Sequence, residues 1–220
     1  MPFSASMSIP EKALNYFKAL VVNLKKNYPV KAGLLTRIYL HWSVAPRGMT
    51  FTDYNLMVLS DNNNFRIVVT GNPQDNVAGL NGNAIHSHTW NRNTNAIGIA
   101  IDGMDGATVN NFGPDALSES SLLYLCGAAA AVAKAYGIDT SGKVIHGTTH
   151  PDNNGGTVNT KGENTIITHG EAAVIDSYSS ERWDLGTLAP LPSGVGLTSE
   201  MRIASGNQLR ALIHRIKLEL

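Results

Sequence analysis

The stretch from Ala96 to Gly137, AIGIAIDGMDGATVNNFGPDALSESSLLYLCGAAAAVAKAYG, decides the fold. Its first six residues, AIGIAI, carry no charge and read as a buried strand, with Gly98 allowing another group to approach the backbone closely. From Pro114 to Tyr136 the residues are small and apolar at helical length. Asp115 or Ser118 can cap this helix and Gly137 ends it. The four alanines at 128–131 predict tight packing against a sheet. A buried strand followed by a close-packed helix is the unit of a layered α/β protein.

The flanking segments extend that pattern. Arg37 to His41, RIYLH, is a β-prone run ending in histidine, and a short β-branched run ends at His169. Asn55 to Leu59 and Phe65 to Thr70 bracket Asp61-Asn62-Asn63-Asn64, whose side chains tolerate turn geometry, so the two runs predict a hairpin. Val144 and Ile145 read as the start of another strand. Leu14, Phe17, Val21 and Leu24 recur at helical spacing; Ser8 with Glu11 can form a capping box, and Pro29 stops the helix. Asn207 to Leu218 predicts a closing helix with Leu209, Leu212, Ile213 and Ile216 on one face. Residues 71–95, 147–164 and 187–198 read as long loops, rich in Gly with Asn, Thr or Pro. The expectation is one α/β (α+β) domain over 1–220, a central mixed sheet flanked by helices: an N-terminal helix within 1–30, a core at 37–186, and a C-terminal wrap and helix at 187–220.

Composition narrows the function. At 220 residues with 43% hydrophobic content the chain can bury a sizeable core. Seventeen basic residues balance seventeen acidic ones without a run of either sign, which argues against nucleic acid as a partner. The single cysteine, Cys126, lies in an apolar run and reads as a buried small hydrophobe. The N-terminus lacks a secretory pattern and no run approaches the ~20 apolar residues of a membrane span. The sequence therefore predicts a soluble product made in the cytoplasm, acting as a monomer.

Seven histidines are candidates for chemistry. Either His41 or His169 alone is more simply a hydrogen-bonded core residue than a ligand. Together they gain weight, because both end β-like runs and a lone acidic residue, Asp184, follows in RWDLG. Two neutral imidazoles and a carboxylate suit Zn²⁺ with an open position for water, whose pKa falls to about 7 in such sites. His146 and His150 are competing ligands at a spacing zinc uses, although no carboxylate follows them in the same way. His86 and His88 together form a weaker alternative pair, and His214 reads as a helix surface residue.

In order along the chain stand Leu40-His41-Trp42, DYNLMV at Asp53 to Val58, His88-Thr89 before WNRNTNAIGIAIDG, the long helix, THGEAA at Thr168 to Ala173, and RWDLG at Arg182 to Gly186. In these motifs, spanning residues 37–186, the chain resembles the zinc-dependent N-acetylmuramoyl-L-alanine amidases that share a fold with peptidoglycan recognition proteins and phage amidase-type lysozymes. The resemblance implies His41, His169 and Asp184 as zinc ligands, and Tyr54 beside the metal, where its hydroxyl orients water or stabilises an oxyanion. For His88 and Thr89 it implies a substrate-contacting or loop-fixing role; Arg182 can stabilise developing charge as a fixed guanidinium, and Trp90 and Asn91 are candidate substrate contacts. Trp42, Asn93 and Trp183 are further groups available to sugar or peptide, with buried packing the default for each Trp.

Two positions depart from the family. Arg182 stands where relatives often carry lysine; a guanidinium cannot give up its proton, so it is no general acid. Ala100 stands where the intracellular branch carries a glutamate. The proton donor is thus open among the attacking water, Tyr54 and Glu171, and Glu171 is more simply a cap of the following turn. The implied activity is cleavage of the muramoyl–L-alanine amide of peptidoglycan by an endolysin or a delivered effector that reaches the wall after release. A non-catalytic recognition module and a zinc peptidase cutting another stem amide stand as alternatives.

Overall fold

The computed structural model describes residues 3–61, 64–80, 85–145, 159–177 and 183–220. Five strands form one mixed sheet: β1 (Arg37–Trp42), β2 (Leu56–Asp61), β3 (Asn64–Val69), β4 (Ala96–Ile101) and β5 (Ile166–Thr168), in the order β3-β2-β4-β1-β5. Only β2 and β3 pair antiparallel, as the expected hairpin; β2–β4, β4–β1 and β1–β5 are parallel. Four helices flank it: α1 (Glu11–Asn27), α2 (Glu119–Tyr136), α3 (His169–Ile175) and α4 (Ser199–Glu219). No described helix is long and apolar enough to cross a membrane.

Strand alternation divides the sheet into two faces. Ile38, Leu40 and Trp42 of β1, Leu56 and Val58 of β2, and Ile97, Ile99 and Ile101 of β4 join the main core with α1, α2 and α4. The alanines at 128–131 are all fully buried there, and α2 contacts α1, α4 and the sheet. Tyr39 and His41 face the other way, with Met57, Leu59 and Ala100, under loops and α3. Both β1 and β4 are buried along their whole length, which is why they read as continuous apolar runs rather than alternating ones.

Several boundaries differ from expectation for local reasons. Helix α1 begins at Glu11 behind an extended Pro10, with no side-chain cap, so Ser8 and Glu11 do not form a capping box. Helix α2 starts at Glu119 and not Pro114, because Ser118 and Ser121 form the box that opens it; Gly137 ends it as expected. Val144 and Ile145 form no strand. Val144 exchanges hydrogen bonds with the turn at Gly162 and Glu163, a segment too short to be a strand partner, and Ile145 lies exposed. Helix α4 starts at Ser199, two turns before its apolar stripe, capped by the Thr198 side chain. A short 3-10 turn, Pro73–Asn76, interrupts the first long loop.

Candidate metal centre

Parallel pairing of β1 with β5 sets Leu40 opposite Thr168, so the residues that follow, His41 and His169, emerge side by side at the carboxyl ends of neighbouring strands. In parallel sheets this end is where ligands gather. Thr168 terminates β5 and caps α3: its hydroxyl accepts from the Glu171 N–H, and the Glu171 carboxylate accepts from the Thr168 N–H. His169 is thereby the first residue of α3, held in a defined orientation.

Asp184 arrives from the loop after α3. Gly170 donates its N–H to the Asp184 carbonyl at 2.9 Å, and a Cβ on Gly170 would stand 3.0 Å from that oxygen and 3.1 Å from Gly186 Cα. Only glycine lets the helix start and the RWDLG loop come this close. On the far side of the loop, Trp183 packs edge-on against Trp42 with ring centroids 4.5 Å apart, and Phe112 completes the cluster. Trp42 thus belongs to the core face, not to a sugar platform. Leu185 holds a left-handed backbone, φ 57°, a conformation that costs a leucine energy and that the packed loop must sustain.

Three ligand-type atoms converge. His41 Nδ1 lies 3.1 Å from His169 Nδ1, His169 Nδ1 lies 3.2 Å from Asp184 Oδ2, and His41 Nδ1 lies 3.5 Å from the same oxygen. Donors about 2.0–2.1 Å from a tetrahedral ion stand roughly 3.3–3.4 Å apart. The observed triangle is therefore the right size, and its donor set of two imidazoles and a carboxylate fits a divalent metal. His41 is fully buried, whereas His169 and Asp184 keep 15% and 13% of their side chains accessible, so the centre opens toward solvent on their side.

The electrostatics suit a cation. Burial works against ionisation of Asp184, but the imidazoles of His169 and His41 outweigh it and hold the carboxyl well below the usual carboxylate range. Tyr54, at the bend before β2, sets its ring 5.2 Å from that of His41. Burial, together with the Asp184 and Asp53 carboxylates, pushes its phenol above the ordinary value, so it remains an O–H donor at neutral pH. His88 is buried behind the centre. Desolvation first, and then the neighbouring His41, His169 and Arg37, drive its pKa well below the ordinary imidazole value, and it stays neutral.

The remaining expected site residues are placed differently from one another. His88 and Thr89 lie buried against the back of His41, Asn91 is buried in a left-handed turn, and Trp90 is 51% exposed. Ala100 sits beside His41 in the β1–β4 register, on the face of the centre. Arg182, His146 and His150 lie outside the described residues. His86 does not join His88 on a metal, because its ring nitrogens lie 2.6 Å from the Thr52 carbonyl and 3.1 Å from Asp75, which pins the loop to its neighbours. Glu171, besides capping α3, forms a two-pronged ion pair with Arg210 of α4 at 2.8 Å on each oxygen.

The sequence reading did not find Arg92. Fully buried, it pairs with Asp176 after α3 at 3.0 and 2.5 Å and with Glu163 before β5 at 2.5 Å. It joins the His88-Thr89 loop to both ends of the segment bearing His169. A lone arginine between asparagines in a loop gives no signal of such a role. Compared with protein-family models, with characterised proteins and with solved structures, the chain matches none.

Proposed function

We propose that the protein is a zinc-dependent amide hydrolase that cuts the bond between the lactyl group of N-acetylmuramic acid and the L-alanine of the peptidoglycan stem peptide. The observation that carries this reading is the convergence of His41, His169 and Asp184 at an edge open to solvent, with the Tyr54 ring against His41. The sequence resemblance supplies the substrate class, which lies in the cell wall and is reached after release or delivery.

Zinc held by these three side chains supplies Lewis acidity toward the scissile carbonyl and toward water. The chain's own residues do the rest. Asp184 stays anionic, and His41 and His169 both turn Nδ1 toward it, so the three donor atoms already face one point. Tyr54 keeps its proton and donates to the carbonyl oxygen as negative charge collects there. Arg182, two residues before Asp184, is the second charge-stabilising group by sequence, and as a permanent cation it does not deliver the proton to the leaving amine. With Ala100 facing the centre and Glu171 engaged by Arg210, the proton on the departing amine comes from the attacking water, which gives it up as its oxygen bonds the carbonyl carbon and the C–N bond breaks.

Metal analysis of the purified protein, paired with mass spectrometry of digested peptidoglycan, tests the assignment. Stoichiometric zinc and newly exposed N-terminal alanine on released stem peptides are expected. Cleavage elsewhere in the stem would move the protein to the peptidases. Muropeptide binding with neither metal nor hydrolysis would make it a recognition module. Iron at the same stoichiometry, which two imidazoles and a carboxylate also accommodate, would overturn the hydrolase reading.

A further inference from the structure

His41 has two ring nitrogens, and only Nδ1 faces His169 and Asp184. Its Nε2 points inward, where Thr89 Oγ1 lies 3.3 Å away. When Nδ1 gives its lone pair to a cation, Nε2 carries the ring proton and needs an acceptor in a region closed to water. We propose that Thr89 is a positioning residue of the metal centre: its hydroxyl accepts the hydrogen bond from His41 Nε2–H and holds the ring with Nδ1 turned to the metal. The proposal rests on the metal-centre reading and adds a residue to it that touches neither metal nor substrate.

The surroundings fix Thr89 for this task. It is 1% exposed; its backbone N–H donates to Asn93 Oδ1 at 2.7 Å, and its hydroxyl also lies 3.0 Å from His88 Nδ1. His88 in turn packs between Tyr39 and His41, with ring centroids 5.5 and 5.4 Å away. The space His88 occupies exists because β4 carries glycine at position 98, where a Cβ would stand 2.3 Å from His88 Cγ. A threonine hydroxyl so confined has little freedom to turn away, and the imidazole it holds has little freedom to rotate. An outer partner of a ligating histidine is typically worth roughly 10–100-fold in metal affinity or activity.

Zinc affinity, measured by competition with a chromophoric chelator, and the visible spectrum of the cobalt(II)-substituted protein test this on wild type, Thr89→Val and Thr89→Ser. Valine keeps the shape but removes the acceptor, so zinc should bind roughly 10–100-fold more weakly and the cobalt bands should shift; serine should restore both. Should the valine variant not fold, Thr89→Ala against Thr89→Ser makes the same comparison. Wild-type affinity in the valine or alanine variant overturns the proposal while leaving the metal centre in place. Equal weakening in the serine variant overturns it as well, since packing of the methyl group would then be what matters. Failure of the wild type to bind zinc or cobalt overturns both readings.

Discussion

Tyr54 and His169 contribute differently to the same centre, and substitutions separate them. Tyr54 makes its contact with His41 through the ring, so Tyr54→Phe keeps the packing and removes only the O–H donor. If that donor meets the developing oxyanion, kcat should fall about 10²–10³-fold with KM little changed, as for loss of an oxyanion donor. Steady-state kinetics on a soluble muropeptide would decide it, and an unchanged kcat would reduce Tyr54 to a packing role. His169→Ala removes one of three ligand atoms; zinc measured by elemental analysis after dialysis should be lost. Retention would hand the role to His146 or His150. At this scale the sequence was most informative: donor identity is written in the residue type, and His41, His169 and Asp184 do come together. It could not say which way a neighbour faces. His88 and Thr89, read as contacting substrate or fixing their loop, lie behind His41, because a loop's facing depends on what it packs against, here Gly98 of β4.

Among the elements, α3 is the joint. It is only seven residues long, too short to persist by helix propensity alone. It is held by its capping box, by Glu171–Arg210 toward α4, and by Asp176–Arg92 toward the loop carrying Thr89. Arg92→Met should therefore destabilise by about 3–5 kcal/mol, the usual cost of stripping a buried ion pair of one partner, since both Glu163 and Asp176 lose their cation. Urea unfolding measures this, and a change below about 1 kcal/mol would mean that the pair behaves as a solvated surface bridge. Of these links the sequence held only Glu171 as a cap, without its partner Thr168, because capping is a local pattern, whereas Arg92 and Arg210 find their partners 84 and 39 residues away.

In the whole molecule, the core and the centre lie on opposite faces of one sheet. The main cluster of α1, α2, α4 and the inner sheet face contains none of the three ligands. The fold should consequently survive removal of the metal, with a lower midpoint. Ligand linkage gives about 4 kcal/mol at a thousandfold excess of free metal over its dissociation constant, so thermal unfolding should move down on chelation and return with zinc, while far-UV circular dichroism at room temperature stays the same. Collapse of secondary structure on chelation would show that the centre is needed for folding itself.

The sequence by itself determined the elements and the donors. A run such as AIGIAI or the alanine-filled helix behind it declares its burial by composition, and histidine, aspartate and tyrosine declare their chemistry by side chain. Tertiary structure alone decided their meeting. The register that sets Leu40 against Thr168 brings His41 beside His169 across 128 residues of chain, and the same parallel pairing turns Trp42 into the core and His41 out of it. Local patterns follow from forces between near neighbours along the chain. Register and facing follow from which strands pair, and that is settled only when the whole apolar surface is buried at once.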